Sequence, residues 1–137
     1  MTVSIQLFLT EETSTLHAEG PSILGAPHTI LLINSHPRSK NVHYGIMRPS
    51  SCDKTDKTSS GMKYDVAFKL AYDEEGIRRL KHEHEIYNKD LRALQGNVVP
   101  TCYGLFTGTL SGTPIACLVL DFCINGNSNP TIAKEEF

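Results

Sequence analysis

Lys69 lies inside the apolar run Tyr64-Asp-Val-Ala-Phe-Lys-Leu70. As a strand, this run turns Val66, Phe68 and Leu70 to one side and Asp65, Ala67 and Lys69 to the other. An ammonium group on such a face needs an acid, a bound anion or a route to water. Glu83 is the natural acid. It falls in a helical stretch whose apolar stripe is Ile77, Leu80, Tyr87, Leu91 and Leu94, with His84 inside it. At roughly 100° per residue, Glu83 is at the edge of that stripe and Glu85 points nearly away from it. Lys69 and Glu83 are therefore expected to meet. The competing reading leaves Lys69 on an edge strand and Glu83 as a solvated rim residue. His82 and His84 are two apart and face different directions, which is poor geometry for sharing a metal. Cys52, Cys102, Cys117 and Cys123 contain no Cys-x-x-Cys pair, so free thiols are expected and no metal site is assigned.

The elements that position these residues can be read from periodicity and breakers. Val3, Ile5, Leu7 and Leu9 alternate with mostly polar neighbours and predict a strand. Glu11 to Pro21 is polar and ends in the breaker pair Gly20-Pro21. Thr29 to Ile33 and Val42 to Met47 predict strands on either side of a polar turn. Pro49 to Gly61, rich in Ser, Thr, Lys and Asp, predicts a mobile loop. Tyr64 to Leu70 is a strand and Asp73 to Leu94 a long helix, with Asp73 as N-cap and Gly96 placed to end it. Val99 to Thr107 and Ile115 to Cys123 are strands joined by a hairpin over Gly108 to Pro114. Strands, one helix, then strands predict an α+β fold, an antiparallel β-sheet with one long packed α-helix. Residues 1–28 form an N-terminal extension with a strand, 29–126 the main domain and 127–137 a polar tail.

The bulk numbers restrict the function. The 137 residues suit one domain, and 39% hydrophobic with 20% charged residues predicts a globular core. Thirteen basic against fifteen acidic residues give a net charge of −2, so there is no overall basic field for nucleic acid or an anionic membrane. No apolar run approaches the ~20 residues of a membrane span. Met1 to Glu12 has no Lys or Arg ahead of its apolar residues, so no secretory leader is expected. A cytoplasmic location follows as an expectation.

Val66-Ala-Phe-Lys69, Glu83 in Glu-His-Glu-Ile-Tyr, Val99-Pro-Thr-Cys-Tyr-Gly104 and Cys117-Leu-Val-Leu-Asp-Phe-Cys-Ile-Asn-Gly126 together resemble the small, N-terminal lobe of the protein-kinase fold. The wording around Ile-Tyr, Leu-Gln-Gly and Val-Pro also resembles kinase-like sequences of filamentous fungi. The resemblance spans about Ile30 to Gly126. It implies that Lys69 and Glu83 are the strand–helix ion pair of a remnant cleft, with Ala67 beside them. It further places Leu120 at the gatekeeper position and Asp121 to Cys123 in the hinge.

Departures from the pattern decide the expected activity. With Val42 aligned to the valine of the glycine-rich loop, Ser35, Pro37 and Lys40 occupy its three glycine positions. No His-Arg-Asp loop and no Asp-Phe-Gly metal site follow. The resemblance therefore implies a pseudokinase-like module with no catalytic residue. No cofactor is expected, ATP with magnesium included. A protein partner or homodimer is expected to cover Leu91, Leu94, Val99 and Phe122, with the extension Val3 to Leu9 folding over them as the alternative. Half of a split kinase, ATP retention or small-molecule binding in the remnant cleft are the alternatives.

Overall fold

A computed structural model describes residues 3–20, 22–35, 41–50, 63–95 and 98–122. Its strands are β1 (Ser4–Phe8), β2 (Thr13–Ala18), β3 (His28–Ser35), β4 (Val42–Pro49), β5 (Tyr64–Ala71), β6 (Cys102–Leu110) and β7 (Thr113–Asp121). The helix α1 spans Glu74–Lys89 between β5 and β6, and a 3-10 turn covers Arg92–Leu94.

The strands close into a barrel in the order β1-β2-β6-β7-β5-β4-β3. This corrects the expected open antiparallel sheet and, with it, the kinase small-lobe architecture, which is an open sheet on a helix. Closure comes from residues 1–28. β1 runs parallel to β3, pairing Ile5 with His28 and Phe8 with Leu31. β2 runs antiparallel to both β1 and β6, and its seam with β6 has only two register pairs, His17–Thr107 and Ala18–Phe106. The sequence hides β2 because Leu16 is the sole aliphatic residue it sends fully inside. The other inward position is Ser14, whose hydroxyl donates to the Thr109 carbonyl at 2.6 Å. A hydroxyl satisfied in this way can be buried without the usual penalty.

Two apolar clusters share the sheet. The barrel interior is filled by side chains that include Ile5, Leu7, Leu16, Ile30, Met47, Phe68, Phe106 and Val119. Outside the barrel, α1 lays Leu80 and His84, flanked by Ile77 and Tyr87, over Cys102, Leu105, Ala116, Leu118 and Leu120. β7 thus has apolar neighbours on both faces, which explains its unbroken run Ile115-Ala-Cys-Leu-Val-Leu120. β6 and β7 join through a two-residue turn, with Ser111 at φ 52° and Gly112 at φ 82°, as a tight hairpin requires.

Asp73 caps α1 as expected, its carboxylate accepting from the Gly76 N–H at 2.6 Å. The helix ends at Lys89 rather than at Leu94. Gln95 replaces the terminating glycine: its Nε2 donates to the Tyr87 carbonyl at 2.7 Å and its Oε1 accepts from the Cys102 N–H at 2.9 Å. One amide therefore satisfies a free helix carbonyl and ties the helix end to the start of β6. Gly96, Pro37, Lys40, Cys52, Cys123, most of the loop expected over Pro49 to Gly61, and the tail from 127 to 137 lie outside the described residues.

The closest approach that dictates a glycine among the described residues is at position 45. A Cβ on Gly45 would stand 2.5 Å from the Leu31 carbonyl oxygen. There β3 crowds β4, and a bulge follows between Leu32 and Asn34.

Candidate functional site

Lys69 and Glu83 meet. Lys69 Nζ lies 2.6 Å from Glu83 Oε1, and the two side chains are 35% and 30% exposed. Strand alternation puts Lys69 on the outer face of β5, between Val42 on β4 and Leu118 on β7. Helical phase brings Glu83 down onto it from α1. The pair is charge-neutral and half-solvated, so each partner already satisfies the other. Tyr87 follows Glu83 by one helical turn. Burial, with lesser contributions from the Glu83 and Cys102 charges, pushes its phenol up. Glu85 and His82 are exposed, while buried His84 lies 3.1 Å from the Asn88 side-chain amide.

Of the remaining expected cleft residues, Ala67, Leu120 and Asp121 are described and Cys123 is not. Ala67 is half-buried and pairs across the ladder with Leu120, which is buried against α1. Asp121 is half-buried. Cys102 and Cys117 are buried free thiols. Burial pushes Cys102 up to about 11 and Cys117 higher still, so neither supplies a thiolate at neutral pH. Among the described residues no group of His, Cys, Asp and Glu could hold a metal ion, and no helix is long and apolar enough to cross a membrane.

The expected interaction surface is divided. Leu94 is 40% exposed at the end of the 3-10 turn, whereas Leu91 and Val99 are half-buried. Phe122 belongs elsewhere, its ring 5.0 Å from that of Tyr44 on β4.

Two features went unread in the sequence. The first is a cleft of about 510 Å³ lined by Tyr72, Asp73, Glu74, Ile77, Arg78, Lys81 and Pro114. Its charges balance: Arg78 faces Glu74 at 3.9 Å and Lys81 faces Glu19 at 3.8 Å. The second is an apolar face on the outside of β1, β3 and β4. Phe8 pairs with Leu31, and Leu31 with Ile46, so three apolar side chains stand in one cross-strand row. Leu31 is 47% exposed and Ile33, in the bulge, 60%. Tyr44 and Phe122 extend this face toward β5. Its signal was present in Thr29 to Ile33, where consecutive apolar residues must leave some outside unless both faces are covered.

No protein-family model, curated protein or solved structure matches this chain. The kinase-like and pseudokinase reading, and the likeness to fungal kinase-like sequences, are left without support by these comparisons and by the closed barrel.

Proposed function

We propose that this chain is a non-catalytic binding module that presents the outer β3–β4 face of its barrel to another protein chain. One observation carries the reading: Leu31 and Ile33 stand exposed in a row of apolar neighbours, while the barrel interior is filled by its own side chains. A contiguous exposed apolar face on a folded domain usually marks an interaction site. A filled interior disfavours a small molecule held inside the barrel. The ladder is closed, so a partner would have to pack on the face rather than add a strand to an edge.

The test is site-directed photocrosslinking in cells, with benzoylphenylalanine at Ile33 or at Thr113, an exposed position on the β6–β7 hairpin. An adduct with a discrete polypeptide is expected at Ile33, absent at Thr113 and lost when Leu31→Glu is added. No polypeptide adduct at Ile33 would sink the reading.

A further inference from the structure

Taking the β3–β4 face as the binding surface, as proposed above, we infer that its partner is a segment of a different protein that carries carboxylates beside apolar side chains. The argument is charge complementarity. Arg48 and Lys63 flank the last pair of the β4–β5 ladder, Met47–Tyr64. Met47 is fully buried and Tyr64 packs against the interior, so strand alternation turns Arg48 and Lys63 outward, and both are exposed. Two like charges so close together on a sheet surface repel each other. Among the described residues, no carboxylate is within ion-pair distance of either.

The cations border the apolar row directly. Arg48 is two residues from Ile46 on the same face of β4, and Ile46 is paired with Leu31. A ligand that covers Leu31, Ile33 and Ile46 therefore brings one of its ends over two positive charges that no described carboxylate answers. Carboxylates there would form charge-assisted contacts and relieve the repulsion. Asp65 stands beside Ile46 on β5 and is exposed, so it sets the opposite sign one row away. The acidic end of the partner is thereby directed toward Arg48 and Lys63 and away from Asp65.

An anionic membrane is the less favoured occupant. Membrane attraction grows by about 1 kcal/mol per basic residue near the surface. Two cations beside an acid, on a chain of net charge −2, give little of it. A second copy of the chain is also less favoured, because it would bring the same paired cations to the interface.

The experiment pans a phage-displayed library of random peptides on the full chain and measures the selected peptides by fluorescence anisotropy. Peptides combining apolar residues with Asp or Glu are expected. Arg48→Gln and Lys63→Gln should each weaken binding by about fivefold, the most an exposed ion pair ordinarily contributes. Asp65→Asn should tighten it, and added salt should erase the differences. Leu31→Glu should abolish binding in every case, with far-UV circular dichroism confirming the fold. Selected peptides without acids that still need Leu31 would overturn the charge inference and leave the binding face standing. Peptides indifferent to Leu31→Glu would overturn both. Binding to vesicles containing phosphatidylserine that is lost in Arg48→Gln, with no acidic peptide selected, would reassign the face to a membrane. A dimer abolished by Leu31→Glu would reassign it to a second copy.

Discussion

β7 and β3 are both apolar in sequence, yet they meet opposite fates. In β7, Ile115 to Leu120 are all buried, because the barrel takes one face and α1 the other. In β3, Ile30 is fully buried, but Leu31 and Ile33 on the far side have no described element above them and remain largely exposed. The same composition thus serves two ends. Where a helix covers the sheet, alternate apolar residues are core. Where none does, they are surplus to folding, and surplus apolar surface is what a binding face needs.

The largest expected effect tests whether the barrel that both strands share is closed. Leu16→Asp on β2 would place an unpaired carboxylate inside and should cost about 4 kcal/mol or more, a large share of the roughly 5–15 kcal/mol that holds an ordinary domain folded. A Leu16→Asp protein as stable as the parent in urea denaturation would mean that β2 does not close the barrel. Next, Leu118→Ala should cost about 2–5 kcal/mol in urea denaturation, since Leu118 is wholly buried beneath α1. Leu31→Ala, at the exposed counterpart, should cost no more than about 0.5 kcal/mol. Equal losses at the two positions would erase the contrast between the strands.

Acid should act on the interior and spare the outer face. His43 lies against Phe68, ring centroids 5.4 Å apart, and burial holds its imidazole below the ordinary value of 6.5. The unfolded chain therefore binds this proton first. Stability should fall as pH drops below about 6.5 toward the lower folded value. In His43→Gln that part of the slope should vanish in urea titrations across this range; an unchanged slope would assign it to other groups.

A modest effect belongs to the helix's polar contact with the sheet. A double-mutant cycle of Lys69→Met and Glu83→Gln should give a coupling of about 0.5–1 kcal/mol, because the pair is partly solvated. A coupling of several kcal/mol would mean that the pair is the main anchor of α1, outweighing the apolar contacts of Leu80.

The Lys69–Glu83 pair was legible in the sequence because each residue obeys a local period, two in β5 and 3.6 in α1. The end of α1 was not. Leu91 and Leu94 continue the apolar spacing past Lys89, and nothing local shows that Gln95 will take the Tyr87 carbonyl. Closure was the least legible. It depends on Ser14 passing as an interior residue and on β1 lying parallel to β3, both of which rest on partners distant in the chain. The outer face went unread for a related reason: periodicity marks a strand as doubly apolar without saying whether a helix covers its second side.

The β2–β6 seam also sets an order of events during synthesis. His17 must find Thr107, and Ser14 must find Thr109, 95 residues further along the chain. The β1–β2 hairpin can form early from neighbouring residues, but it cannot seal the barrel until β6 has emerged. At the ~5–20 residues per second of translation, the hairpin waits several seconds with Ile5, Leu7 and Leu16 uncovered. Over that interval Leu31 and Ile33 are exposed as well, so the nascent chain carries two sticky surfaces where the finished protein carries one. Slow closure makes this N-terminal hairpin the segment for which early chaperone contact would matter most.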